Sequence, residues 1–479
     1  VDKVIDIKAL SIYSDQETIV QALSLSLVWG KPVTILGETG SGKSLLVQAI
    51  MGALPKGLEM EGNISLFGQS GLSQRQIEEH WGNDIAMLPQ EPWLSLDPIM
   101  PAIKQISLVN WLVRGFAKEK SRKVADQALS LLGLDDSLQK VPSHLSGGMA
   151  QRLAYLCATA AGGRVLIADE PTKGLDASRR AQLIELLKKH SEFGALLTIT
   201  HDVEVARSLG GELIVMRQGE ILERGDCEAV LTNPKSTYAQ ELLSAWDFRA
   251  PSSTRSLAKQ NLVQVKSVSK SRGGKTLFDG LSLTIKAGEV VGIVGDSGLG
   301  KSTLADMILG LTDTDSGSIT RSEKFAPAKL LKLYQDPPSA FCQTITLEQN
   351  LRDLCGLHKI DFSKVSELMK DLKLDNTLLN RTPDCVSGGE LQRFAIVRVL
   401  LMKPKLLVAD EPTSRLDPII AASTIKLLLE QTRRIDCALV LISHDLKLID
   451  QVSDKVIQLA DFAPPHLLDA EPMQTVTVS

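Results

Sequence analysis

The chain spells one ordered set of motifs twice. "GETGSGKS" at 37–44 returns as "GDSGLGKS" at 295–302, and "LSGGMAQR" at 145–152 returns as "VSGGELQR" at 386–393. "VLIADEPTKGLD" at 165–176 returns as "LLVADEPTSRLD" at 406–417, and "TITHD" at 198–202 as "LISHD" at 441–445. Matching lysines lie 258 residues apart, Gln90 and Gln335 lie 245 apart, and Asp169 and Asp410 lie 241 apart. A period this long marks duplicated domains, not a solenoid of short repeats. The falling offset makes the second copy shorter, mostly between its glycine-rich loop and Gln335.

The expected organisation is a first domain over 1–246, a linker over 247–260 and a second domain over 261–479 with a shortened C-terminal part. The linker "DFRAPSSTRSLAKQ" is polar, holds Pro and three Ser, and lacks strand or helix periodicity. Within each half, "PVTILG", "VVGIVG", "RVLIAD", "KLLVAD", "ALLTIT" and "ALVLIS" read as buried strands of a largely parallel sheet. Stretches 180–190 and 421–434 have helical spacing, and 91–145 and 336–386 read as mostly helical. Alternating segments near 4–28 and 262–286 predict an antiparallel sheet opening each half.

Bulk properties exclude several classes. A net charge of −4 argues against a general nucleic-acid binder. No apolar run reaches about 18 residues, so no membrane-spanning helix is expected. The start "VDKVIDIKAL" lacks the apolar core of a signal peptide. None of the six cysteines forms a CxxC pair, so neither a zinc ribbon nor a redox motif is offered, and reduced thiols are expected.

The glycine-rich loops carry the chemistry. Gly37, Glu38, Thr39, Gly40, Ser41, Gly42, Lys43 and Ser44 match the pattern of a phosphate-binding loop, as do Gly295, Asp296, Ser297, Gly298, Leu299, Gly300, Lys301 and Ser302, followed by Thr303. The glycines let backbone N–H groups close around phosphate oxygens. The lysine reaches the terminal phosphates, and the serine hydroxyl ligates Mg²⁺. A single match also fits an ordinary glycine-rich turn; two, each after an apolar strand, point to phosphate.

Asp169 and Asp410 end apolar strands, where a second carboxylate is expected beside the Mg²⁺. Glu170 and Glu411 follow, placed to orient and deprotonate an attacking water. His201 and His444 also follow apolar strands, 31 and 33 residues after those glutamates. A lone histidine there is more often a packed core residue; its recurrence points to the terminal phosphate. Gln90 and Gln335 end short apolar runs and could reach the Mg²⁺ or the water. Ser146, Gly147 and Gly148, with Ser387, Gly388 and Gly389, open helices whose bare N–H groups suit an anion.

Together these residues resemble the nucleotide-binding domains of ABC ATPases. The resemblance covers nearly the whole chain, twice. It implies an α/β fold with two tandem P-loop NTPase domains, each a RecA-like core with an antiparallel β-subdomain and a helical subdomain. ATP and Mg²⁺ are the implied cofactors. It also implies that each Ser-Gly-Gly turn serves the nucleotide on the other half's lysine, with Asp176 and Asp417 at that seam. In the family an aromatic stacks on adenine, and Tyr13, 24 residues before Gly37, is its counterpart. Ser271 beside Arg272 stands at the matching place in the second half, so weaker nucleotide affinity is expected there. Val386 replaces the usual signature leucine and is expected only to pack.

ABC ATPases divide into transport motors and soluble machines. "QEPWLSLDP" (90–98) and "NPKSTYAQELLSAW" (233–246) resemble segments of the oligopeptide/dipeptide/nickel importer motors. That resemblance implies two transmembrane permease subunits, an extracytoplasmic solute-binding protein and a place at the cytoplasmic face of the inner membrane. Trp93 reads either as a permease contact or as a buried core residue. The rival classes are an exporter motor and a soluble machine acting on ribosomes or DNA. The short linker and acidic charge argue against the soluble machine. Cargo stays open among peptides, nickel or metal chelates, and related solutes.

Overall fold

A computed structural model describes residues 3–15, 17–38, 40–91, 93, 95–175, 177–247, 260–296, 298–322, 329–413 and 416–464. The expectations placed on Thr39, Asp176, Ser297 and linker positions 248–259 lie outside the described residues. The chain divides into two compact units, Val1–Ser244 and Ala245–Ala470.

The first unit holds two sheets. In the antiparallel sheet Lys3–Ser14 lies between Thr18–Val28 and Leu58–Leu66, with the short strand Gln69–Ser70 at one edge. The larger sheet runs Glu220–Asp226, Glu212–Arg217, Val33–Gly37, Ala195–Thr200, Val165–Asp169, Ile85–Leu88. It is parallel except at the Glu220–Asp226 edge. The second unit repeats this plan with a three-stranded antiparallel sheet and a parallel sheet in the order Leu330–Leu333, Leu406–Asp410, Ala438–Ile442, Val290–Val294, Lys455–Gln458.

The central strands are buried along their whole length, which is why they read as unbroken apolar runs. Alternation within one strand feeds two cores. Val165 and Ile167 pack with the antiparallel sheet and the helix Lys43–Ile50, while Leu166 and Ala168 pack against the helical layer. In the second unit Leu406 and Val408 serve one core, and Leu407 and Ala409 the other. Each fully buried aliphatic side chain contributes about 1.5–3 kcal/mol of transfer free energy.

The helical layers hold Ala102–Leu112, Lys118–Leu131 and Gly147–Thr159 in the first unit. Their counterparts are Leu347–His358, Ser363–Asp371 and Gly388–Leu401. The stretches with helical spacing fall in Ala177–Phe193 and Pro418–Arg434. Asp417 caps the latter, accepting bonds from the Ile419 and Ile420 amides at 3.1 and 3.0 Å. Trp93 is 44% exposed, so the core reading of that residue is excluded. Among the described residues, no helix is long and apolar enough to cross a membrane.

Candidate functional site

Each site is built at the C-terminal edge of its parallel sheet, where the strand ends, the glycine-rich loop and one helix start converge. Gly42 and Gly300 cap the helices Lys43–Ile50 and Lys301–Leu309 with φ of 90° and 94°. This left-handed conformation favours glycine. A Cβ on Gly42 would also stand 2.8 Å from Val20 Cγ2.

Lys43 is buried, and its ammonium donates to the Gly37 carbonyl at 2.8 Å, the Glu38 carbonyl at 2.6 Å and Ser41 Oγ at 3.2 Å. Burial lowers its pKa, against the opposing pull of Glu170, Asp169 and Glu38. Lys301 repeats the arrangement, donating to the Gly295 and Asp296 carbonyls at 2.6 and 3.1 Å. Ser44 and Ser302 are exposed one residue further on, and Thr303 is half-buried beside Ser302. Glu38 faces Arg217, with Oε1 3.4 Å from Nε.

Asp169 ends its strand almost fully buried. Burial raises its pKa, while a hydrogen bond from Ser44 works the other way. Its buried Oδ1 has no hydrogen-bond partner among the described residues. A buried carboxylate oxygen without a donor, beside a serine hydroxyl, suits a hard divalent cation. Asp410 is equally buried, but its Oδ2 lies 3.3 Å from Lys332 Nζ. Burial lowers the pKa of Lys332, yet Asp306 and Asp410 outweigh it, and the net shift is upward.

Glu170 and Glu411 share a feature that composition does not reveal. Their φ values are 46° and 47°, in the left-handed region that side chains other than glycine rarely adopt. Each still donates its amide to the neighbouring strand, Glu170 to the Ile199 carbonyl at 2.8 Å and Glu411 to the Ile442 carbonyl at 3.0 Å. The backbone turns away just after the ladder ends. Glu170 Oε2 then sits 2.8 Å from His201 Nδ1. Glu411 accepts a 2.7 Å bond from Gln335, and its other oxygen lies 3.8 Å from His444 Nδ1. Burial raises the Glu411 pKa, but His444, Lys301 and Gln335 together hold it below the usual range. Gln90 is half-buried beyond the strand Ile85–Leu88.

The Ser-Gly-Gly turns are helix starts. Ser146 caps Gly147–Thr159, accepting from the Met149 amide at 3.4 Å. Ser387 caps Gly388–Leu401 and adds a reciprocal bond from its own amide to Glu390 at 2.8 Å. A Cβ on Gly147 or Gly388 would meet no described atom within 4 Å. On Gly148 it would strike Arg179, and on Gly389 it would press on Leu416. Tyr13 is the last residue but one of the strand Lys3–Ser14, opposite Glu59 and half-buried. At the matching place the Ser271 amide donates to Asp315 at 2.7 Å, and Arg272 is exposed.

The structure thus brings together Lys43, Ser44, Asp169, Glu170 and His201 in the first copy, and Lys301, Glu411, His444 and Gln335 in the second. Sequence reading missed Lys332, hidden inside an apolar run.

A parallel sheet carrying a P-loop beside a buried aspartate and a glutamate defines a P-loop nucleoside triphosphatase, built here twice. The chain belongs to the ABC transporter family, whose family model matches residues 20–173 and 278–414. It is an ATP-binding ABC ATPase.

The ABC transporter ATP-binding protein YejF of Escherichia coli (strain K12), described as uncharacterized, is 31% identical over 500 residues, covering 96% of this chain and 94% of that protein. The peptidoglycan transport ATP-binding protein YejF of Agrobacterium fabrum (strain C58 / ATCC 33970) is 29% identical, covering 96% of this chain and 91% of that one. The glutathione import ATP-binding protein GsiA of Salmonella typhi is 29% identical, covering 96% and 85%. Among solved structures, archaeal ribosome recycling factor aABCE1, in complex with ribosomal stalk protein aP1, aligns with a TM-score of 0.68 at 22% identity, covering 92% of this chain and 84% of that one. At that identity the likeness shows the fold alone.

Proposed function

We propose that this chain is the ATP-hydrolysing motor of a membrane importer for peptides or related small solutes. The observation that carries it is the duplicated site in a chain matched along 96% of its length by a glutathione import subunit and a peptidoglycan transport subunit. Nickel and metal chelates stay within the proposed cargo class. The likeness to the ribosome recycling factor is one of fold and gives no ground for a ribosomal reading.

Each half is proposed as one nucleotide-binding domain, 1–246 and 261–479, joined by the linker 247–260. In the first, Lys43 and the loop Gly37–Ser44 hold the phosphates, Tyr13 stacks on adenine, and Ser44, Asp169 and Gln90 would hold Mg²⁺. In the second, Lys301, the loop Gly295–Ser302 and Thr303 do the same, with Ser302, Asp410 and Gln335 toward the cation. A Mg²⁺ held by these residues would supply positive charge that offsets the charge on the phosphates. Glu170 and Glu411 orient the attacking water and accept its proton. His201 and His444 hydrogen-bond the terminal phosphate. The turns at Ser146, Gly147 and Gly148 and at Ser387, Gly388 and Gly389 offer helix N-terminal N–H groups to phosphate.

The motor serves two transmembrane permease subunits at the cytoplasmic face of the inner membrane, and an extracytoplasmic solute-binding protein delivers the cargo. Exposed Trp93 contacts a permease. Affinity purification from detergent-solubilised membranes tests this. Recovery of two polytopic subunits is expected; cosedimentation with ribosomes, without such subunits, would overturn the reading.

A further inference from the structure

The duplication supplies an internal control for each site, and two neighbouring pairs of positions differ in charge, Met87 against Lys332 and Gln48 against Asp306. A third, Lys173 against Ser414, adds a cation acting on Asp169 in the first copy only. In the second copy Lys332 pairs with Val408 across the parallel ladder. Side chains alternate along strands, so Lys332, Val408 and Asp410 share one sheet face. The Lys332 side chain is only 8% exposed. Its ammonium lies 2.8 Å from Asp306 Oδ1 and 3.3 Å from Asp410 Oδ2. Asp306 stands on the helix Lys301–Leu309, one turn beyond Ser302.

The first copy has the same register, with Met87 opposite Ile167 and Asp169 two residues on. Met87 occupies the place of Lys332, and Gln48 occupies the place of Asp306. Gln48 Oε1 and Asp169 Oδ1 are both buried without a hydrogen-bond partner among the described residues. A thioether and an amide therefore fill this place in one copy as a lysine and a carboxylate do in the other. The fold does not need the ion pair. Buried pairs are in any case weak evidence for stability.

We propose that Lys332 is a positioning residue of the second nucleotide site. It holds one oxygen of Asp410 and places a fixed positive charge beside it, so that the second site needs more Mg²⁺ to load nucleotide than the first. The inference rests on the proposal that Asp169 and Asp410 face the cation. At an effective dielectric near 20 an ammonium so close repels a divalent cation strongly, and Asp306 cancels part of that repulsion. A remainder of about tenfold in half-saturating Mg²⁺ is expected.

The test uses the full chain, a fluorescent ATP analogue and MgCl₂ titrated into metal-free buffer. Lys43→Ala leaves the second site to report; Lys301→Ala leaves the first. The second site should need about tenfold more Mg²⁺ for half-maximal binding. The paired exchange Lys332→Met with Asp306→Gln should lower that midpoint by about tenfold. The reciprocal exchange, Met87→Lys with Gln48→Asp, should raise the first site's midpoint by a similar factor. If neither exchange moves its midpoint while Asp410→Asn does, the role of Lys332 is refuted and the cation reading stands. If Asp410→Asn also leaves the midpoint unmoved, the cation reading falls and takes this inference with it.

Discussion

Replacing Gly147 or Gly388 with alanine separates what the signature turn does for the fold from what it does for nucleotide. Both glycines are the first residues of long helices, Gly147–Thr159 and Gly388–Leu401. Neither has a positive φ, and an added Cβ meets no described atom within 4 Å at either position. No packing penalty follows. Alanine outranks glycine by about 1 kcal/mol in a helix interior, and by less in the first turn. Each variant should therefore match or exceed wild-type stability, by between zero and about 1 kcal/mol, a shift of at most about 4 °C for units of this size. The proposed role asks the backbone N–H groups there to approach a phosphate closely. A methyl that keeps the phosphate about 1 Å away should cut turnover by up to about 100-fold. Gly148→Ala is the contrast, since its Cβ would lie 2.2 Å from Arg179 Cδ and must displace that side chain. It should lose stability, by about 1 kcal/mol because the arginine is flexible. Thermal melts and steady-state ATPase rates decide the matter. A loss above about 1 kcal/mol at Gly147, or full turnover in both first-residue variants, would refute the reasoning.

Glu170→Gln combined with Glu411→Gln should leave ATP binding intact and lower turnover by about 10²–10⁴-fold, the range of a lost general base. Unchanged turnover would remove both residues from that role. Nucleotide should bind more tightly in the first half, where Tyr13 is available to stack, than in the second, where Ser271 stands. Equal affinities in Lys43→Ala and Lys301→Ala chains at saturating Mg²⁺ would contradict it.

The parallel cores were legible because burial on both faces leaves strands such as "VLIAD" and "LLVAD" no polar positions before their terminal aspartate. The glycine-rich loops were legible because their dihedrals demand glycine at fixed spacing, as Gly42 and Gly300 show. Three features were not. The left-handed backbone at Glu170 and Glu411 leaves no mark in composition, since glutamate is an ordinary strand-end residue there. Lys332 was hidden by averaging: one cation among apolar neighbours reads as an apolar run, and only the ladder register sets it beside Asp410. Trp93 could not be placed because a tryptophan suits a core and a contact surface equally, and its exposure belongs to the tertiary fold.

The left-handed glutamates limit how either copy can change over generations. A residue at that corner must tolerate a backbone that crowds any branch at Cβ, so valine, isoleucine and threonine are poor replacements whatever their effect on hydrolysis. The tolerated alternatives are asparagine, aspartate, glycine and other unbranched residues such as glutamine. A descendant that lost the glutamate of one copy while keeping its strands intact would therefore carry one of these at 170 or 411. Such a chain would keep its shape and its grip on nucleotide, having given up only the proton acceptor.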